Sequence, residues 1–343
     1  MRNRPIKLIF IFIVATPLLT HSAWQKVWMP EVNERIIEME FANAGLGYAL
    51  VAEEYSPYNF LVYRNGAWTL ERLPGMFLGH AWYISLLNSG YGWVVGIHGG
   101  MDWSLYTARS YGGGRWEKTS NPYETGNFPG DYPVLSVAAL EDVWILNDAV
   151  NGFLHYKDGV WEELRNVLPA ELGYAREVCF VNENDGWVSG ENGFAHYVNG
   201  EWKYVPGRYA YRLDFTAPND GWAACSGTGQ VLHYNGSSWS VSLSCPGYEA
   251  HTIGFYDRNN GWAAFSKYES KPRLFKFESG IWREVKKLPE RGAFYPCPVS
   301  DVEGWFLGSE YVPGKGYINI SWHWYTEPNV ETTSLGKIKK IFK

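Results

Sequence analysis

Thirteen of the eighteen tryptophans in this 343-residue chain fall into two columns that interlock along its length. One column closes a turn of the Gly-Trp kind: Trp93, Trp144, Trp187, Trp222, Trp262 and Trp305, with Tyr48 standing in at the first place. The other follows a short Gly-bearing turn, as in "NGAW", "GGRW", "DGVW", "NGEW", "GSSW" and "SGIW": Trp68, Trp116, Trp161, Trp202, Trp239 and Trp282. Trp24 supplies a seventh member without its turn. Each column recurs about every 43 residues, the spacing of four-stranded propeller blades.

Each repeat reads as four short strands. Residues 211–243 are the clearest case: "YRLDFTA", "GWAACS", "QVLHY" and "SWSVSL", separated by "PND", "GTG" and "NGS". Short β-rich runs bounded by Gly, Asn and Asp are strand and hairpin signals. No stretch beyond the N-terminus carries a helical period. The pattern predicts an all-β, seven-bladed propeller of four-stranded antiparallel blades. One sheet cannot bury both faces alone, and radial packing covers them. Seven and nine residues before the first Trp column stand apolar residues such as Phe41, Phe180, Phe215, Phe255, Met39, Ile84 and Leu213. Positions two apart share a strand face, so these mark one face of each inner strand. Between them lie Glu40, Ser85, Ser136, Cys179, Asp214, Gly254 and Cys297, mostly small or polar, as a crowded channel requires.

Ring closure is also legible. The last repeat lacks a closing Trp, and "SAWQKVWMP" near the N-terminus matches "GAWTLERLP". The N-terminal segment is therefore expected to supply the outer strand of the last blade, near Ile318–Trp322, which removes the open sheet edges.

Arg2, Arg4 and Lys7, then "LIFIFIVATPLL", then "THSA" form the three-part pattern of a secretory signal peptide. The expected organisation is a signal peptide over 1–23, a propeller over 24–326 and a basic tail over 327–343. An exported protein follows, periplasmic, cell-surface or extracellular, with no membrane span after cleavage. The net charge of -6 is modest, and its Lys and Arg are scattered, so nucleic acid is not an expected partner. A monomer is expected. Of the four cysteines, Cys225 and Cys245 fall at the same end of one blade; a disulfide there and free buried thiols both remain open.

Residues 105–122, "LYTARSYGGGRWEKTSNP", resemble the Asp-box, or BNR, repeat: Gly113 and Trp116 match, while Tyr111 and Arg115 replace its Asp and Thr. With "GW(V/A)" after each first turn and "HYxxGxW" later, the chain resembles the exported BNR-like propellers that include the photosystem II stability/assembly factor family. The resemblance spans about residues 24–325 and rests on structural positions. It implies the fold, and a role in binding or assembly. Arg72-Leu73-Pro74 is similar to the Arg-Ile-Pro motif of sialidases, but a Pro recurs at Pro30, Pro169, Pro206 and Pro289 and marks the exit from outer strands.

Three candidate constellations stand out. His155, His196 and His233 hold one place in successive blades, too far apart to share an ion at ~2 Å bond lengths, so hydrogen bonds within each blade are expected instead. Asp185, Asp220, Asn260 and Glu303 precede Gly-Trp and read as hairpin chemistry. No metal and no cofactor are expected. The third lies where inner strands begin, at the channel end on which outer-to-inner connections converge. Trp82, Arg176, Tyr211, Arg212, His251 and Tyr295 would meet there as a ligand site, the aromatics stacking and Arg176 and Arg212 pairing with a carboxylate. The competing reading makes Arg176, Glu177 and Arg212 an internal ion-pair network. A non-catalytic module recognising a protein or glycan at this face is the leading expectation. A glycan-active enzyme of sialidase-like hydrolase or lyase type, using Glu38, Glu177 or Asp214, and a structural envelope protein are the alternatives. No catalytic residues are assigned.

Overall fold

The computed structural model describes residues 21–30, 32, 36–51, 60–75, 79–87, 90–98, 103–130, 133–267, 270–285, 293–312 and 316–327. Most of the expected signal segment, residues 1–20, and most of the expected basic tail, residues 328–343, lie outside them.

Seven four-stranded antiparallel sheets form seven blades. Their innermost strands are Ile36–Asn43, Gly79–Leu86, Val134–Ala139, Ala175–Asn182, Ala210–Ala217, Glu249–Asp257 and Ala293–Ser300. Each innermost strand neighbours the next, and the first neighbours the last, so they ring a central channel. Among the described residues helix is limited to two 3-10 turns, Asp148–Val150 and Ala170–Leu172.

The closing strand is the N-terminal one. His21–Trp28 pairs antiparallel with Gly316–Glu327, setting Trp24 opposite Trp324, Lys26 opposite Trp322 and Trp28 opposite Ile320. This pairing begins at His21, three residues before the expected start of the propeller, and extends to Glu327, one residue past its expected end. Trp24 packs edge-on against Phe306, with ring centroids 5.0 Å apart. Ser321 Oγ donates to the Val27 carbonyl at 2.9 Å and accepts from Trp68 Nε1 at 2.8 Å, so one hydroxyl ties the closing strand to blade 1.

The two tryptophan columns interlock because they meet across blade seams. Trp144, Trp187, Trp222 and Trp305 stack on Phe180, Phe215, Phe255 and Phe41 of the following blade at 4.5, 5.5, 4.1 and 4.7 Å. The closing tryptophan of that blade meets the same ring edge-on, as in Trp187–Trp239 and Trp222–Trp282. Aromatic pairs of this kind add ~0.5–1.5 kcal/mol each beyond burial.

The turns before the second column behave as hairpin chemistry demands. Asn65-Gly66, Asp158-Gly159, Asn199-Gly200 and Ser279-Gly280 all hold positive φ at both residues, as a type I′ turn requires. The residue before the Gly-Trp step closes a two-residue hairpin, as in Asn182–Asp185, Ala217–Asp220, Asp257–Asn260 and Ser300–Glu303, and the Gly after it has a different role. Gly186 and Gly221 already lie in the second strand, opposite Phe180 and Phe215. A Cβ there would come within 2.6 and 2.1 Å of those rings. The glycine makes room for the inner-strand phenyl ring.

The small or polar column facing the channel has a specific role. Ser85 Oγ accepts from the Val137 N–H of the next blade at 3.3 Å, Ser136 Oγ from Phe180 N–H at 2.8 Å, and Asp214 Oδ2 from Phe255 N–H at 2.6 Å. Glu40 takes the Leu86 N–H, Cys179 the Phe215 N–H and Cys297 the Phe41 N–H in the same way. Six of the seven inner strands therefore offer a side-chain acceptor to a backbone donor of the neighbouring strand. Satisfying such buried donors is worth ~1–3 kcal/mol apiece relative to leaving them unpaired.

All four cysteines are free thiols, which decides against the Cys225–Cys245 disulfide. Cys225 and Cys245 are both buried, and Cys245 Sγ instead accepts from Arg273 Nη1 at 3.1 Å.

Candidate functional site at the channel mouth

Two features position the mouth. The inner strands begin there, and β-bulges near their starts shift the register after Ile36, Ala81, Ala175, Ala210 and Ala250. A bulge re-aims side chains relative to the pleat. The result is a cavity of about 600 Å³, within the range of small-ligand pockets. All six sequence-nominated residues, Trp82, Arg176, Tyr211, Arg212, His251 and Tyr295, line it. Ile37, Pro133 and Val134 add apolar wall, and Glu38, Tyr83, Glu177 and Glu249 add polar groups.

The wall is continuous over four blades. Arg176 lies over the Tyr211 ring at 6.0 Å. Tyr211 and His251 have ring centroids 6.4 Å apart, and His251 meets Tyr295 edge-on at 5.3 Å. Arg176 has no carboxylate partner among the described residues.

Arg212 is different, and here the expectation that it pairs with a ligand carboxylate is corrected. Its Nη2 donates to Glu38 and its Nη1 to the Tyr83 hydroxyl, with Glu177 Oε1 3.3 Å from Nη1. Tyr83 in turn donates to Glu177, and the guanidinium lies over the Tyr83 ring at 5.0 Å. These four residues come from blades 1, 2, 4 and 5, so the network bolts opposite sides of the channel together. It also forms the polar floor of the cup. The internal network reading thus holds for Arg212 and Glu177, but Arg176 stays outside it. Tyr83 was missed as a site residue, although it shares its place in the repeat with Glu38, Glu177 and Arg212.

Burial dominates the electrostatics of the channel. It pushes the Glu177 carboxyl up to about 7, although Arg212 and Tyr83 act against it. Burial likewise lifts Asp214 to about 7 despite the Phe255 and Phe215 N–H groups. Glu40 stands well above the ordinary carboxylate range, through burial first, with Glu38 and Asp214 adding repulsion. Glu38 is raised too, burial outweighing Arg212.

The recurrent histidines are structural partners of the recurrent acids. His155 bonds Asp142 at 2.9 Å, His196 Asp185 at 3.3 Å, His233 Asp220 at 2.8 Å and His323 Glu303 at 2.6 Å. Each imidazole also stacks on the Trp of its blade, at 3.8, 3.9, 4.1 and 4.5 Å in the same order. These acids therefore reach across the sheet to a histidine, while Asp220 also accepts from Thr216 across its hairpin and Asn260 Nδ2 donates to Asp257 Oδ1 across its own at 2.9 Å. Both columns are visible in the sequence; their pairing follows only from the strand register.

These features define an all-β seven-bladed propeller with an aromatic-walled cup at one end of its channel. Among solved structures, it is similar to "YCF48 bound to D1 peptide", at 18% identity and TM-score 0.62, over 89% of this chain and 96% of that one. It is also similar to YCF48 from Cyanidioschyzon merolae, at 15% identity and TM-score 0.60, over 88% and 98%. The extracellular domain of the putative hybrid two-component system BT4673 from B. thetaiotaomicron matches at 11% identity and TM-score 0.59, over 88% of this chain and 39% of that one. At these identities the likeness is one of fold. No protein-family model matches the chain, and no curated protein matches it in sequence.

Proposed function

We propose that this protein is a non-catalytic binding module that captures a segment of a partner polypeptide at the channel mouth. The observation that carries the reading is the convergence of Trp82, Arg176, Tyr211, His251 and Tyr295, from five blades, around one cup whose polar groups Glu38, Tyr83, Glu177 and Arg212 are bonded to one another. Rigid aromatics and Arg supply contact area and directed hydrogen bonds at low entropic cost. Arg176, which has no carboxylate partner among the described residues, suits an acceptor on the partner. A structural neighbour is described as bound to a peptide, which supports a polypeptide over a glycan.

A random-peptide display selection against the immobilised propeller tests this. Recovered peptides should bind the wild type and lose about tenfold or more in affinity to Tyr211→Ala and Arg176→Ala, as central anchor residues do. Peptides indifferent to both substitutions would overturn the reading. Export belongs to the same proposal: the charged, apolar and small-residue pattern of residues 1–23 supports it. Mass determination of the N-terminus of protein recovered outside the cytoplasm tests it, a mature chain starting at Trp24 being expected.

A further inference from the structure

We infer that the cup is a subsite for an aromatic side chain of the captured polypeptide. This rests on the proposed capture of a polypeptide at the mouth and specifies its anchor.

The argument begins with charge. Glu38 and Glu177 share the Arg212 guanidinium, and Tyr83 completes the same network. Burial pushes the Glu177 carboxyl up to about 7, which favours its neutral form. The other two charged residues of the lining, Arg176 and Glu249, have opposite signs. The lining is thus close to electroneutral, and its polar network is bonded within itself. A charged occupant would lose its hydration there without meeting an excess of counter-charge, so a neutral group is favoured. Arg176 remains for an acceptor on the backbone that carries that group.

The walls select among neutral groups. Trp82, Tyr211, His251 and Tyr295 bring four rings from four blades, beside Ile37 and Pro133. Three of these rings form a run of inclined planes. Tyr211 and His251 lie 6.4 Å apart at 35°, and His251 meets Tyr295 at 5.3 Å and 87°. Aromatic pairs prefer offset or edge-to-face contact, with centroids about 4.5–7 Å apart. Inclined rings offer both faces and edges to one further ring, whereas an aliphatic side chain of equal size gains burial alone. The Arg176 guanidinium, 6.0 Å over Tyr211, adds a cation that attracts aromatic faces. A volume of about 600 Å³ has room for one such side chain with its adjoining backbone.

The test compares N-acetyl-phenylalanine amide with N-acetyl-cyclohexylalanine amide, each titrated against the full chain by NMR. The cyclohexyl ring is similar in size and at least as apolar, but has no π faces. The phenylalanine probe should bind about threefold to tenfold tighter, the increment that aromatic pairing adds beyond burial. Tyr211→Leu and Trp82→Leu keep an apolar wall, and each should reduce that preference at least about twofold. Melting curves confirm that the variants are folded, and the wild-type comparison stands without them. Equal or weaker binding of the phenylalanine probe, or no binding of either probe, overturns the subsite. A preference unaltered in both variants does the same, as does tighter binding of N-acetyl-arginine amide or N-acetyl-aspartate amide. Failure here leaves polypeptide capture standing if display-selected peptides still depend on Tyr211. Selected peptides without an aromatic residue also overturn the subsite, whereas independence from both Tyr211 and Arg176 overturns capture itself.

Discussion

Gly254 and Pro298 face each other across the seam between blades 6 and 7, each lacking the group that the other would need. At every other seam the inner strand presents an oxygen or sulfur acceptor, and its neighbour answers with a backbone N–H. Here the acceptor position is glycine and the donor position is proline, which has no N–H. A Cβ at Gly254 would stand 2.7 Å from the Pro296 carbonyl and 2.8 Å from Pro298 Cδ. The seam is closed by backbone approach instead of a hydrogen bond. Gly254→Ala should therefore destabilise by ~1–3 kcal/mol through overpacking. Urea unfolding checks it, and an unchanged midpoint would contradict the close approach.

Ser136 illustrates the ordinary seam. It is buried, and its hydroxyl is the acceptor for Phe180 N–H. Ser136→Ala leaves that donor unsatisfied and should cost ~1–3 kcal/mol. The matching outcome is a lower unfolding free energy with an unchanged m-value.

Removal of residues 21–28 strips the outer strand from blade 7. It exposes the edge at Gly316–Glu327, uncovers Trp324 and Phe306, and deprives Ser321 of the Val27 carbonyl. An exposed strand edge also invites association. Melting should fall sharply, and light scattering should show aggregation. Equal melting of the full and shortened chains would count against closure by this strand.

The two mouth arginines separate network from binding. Arg212→Ala leaves Glu38 and Glu177 without their counter-charge and should cost about 3–5 kcal/mol, the usual penalty for breaking a buried pair. Arg176→Ala removes a group with no carboxylate partner among the described residues and should leave thermal stability within about 0.5 kcal/mol of wild type. Melting curves of both variants decide, and equal losses would place Arg176 in the network after all.

The raised carboxylates set a pH dependence. Asp214 moves from an ordinary 3.8 to about 7, and Glu177 from 4.5 to about 7. Between those limits the folded chain holds protons that the unfolded chain has released. Stability is therefore present below the ordinary carboxylate range and is lost as pH rises through about 7. Asp142 has the opposite sign: burial works against its ionisation, but bonds from His155 and Lys157 hold it below 3.8, so its contribution is lost only in acid. Unfolding free energy should fall from pH 5 to pH 8, and Asp214→Asn should flatten that fall. A slope unaffected by the substitution would remove Asp214 as its source.

The spacing of Trp93 through Trp305 and of Trp68 through Trp282 was enough to count blades, to align inner strands and to identify Trp24 as the missing closing member. Those features are periodic, and a repeat architecture converts period directly into place. Trp82, Arg176, Tyr211, His251 and Tyr295 could be nominated for the same reason, since equal positions in each blade converge at one end of the ring. What the tertiary structure alone decided is which groups spend their charge internally. Arg176 and Arg212 are neighbouring members of one pattern, yet Arg212 reaches Glu38 and Tyr83, 174 and 129 residues away, while Arg176 does not. Such pairings depend on ring curvature and bulged register, which bring non-adjacent blades within bonding distance across the channel. The pairing of His155, His196 and His233 with their acids, the free state of Cys225 and Cys245, and the Gly254–Pro298 seam have the same origin: each is a relation between strands, and the repeat specifies positions along one.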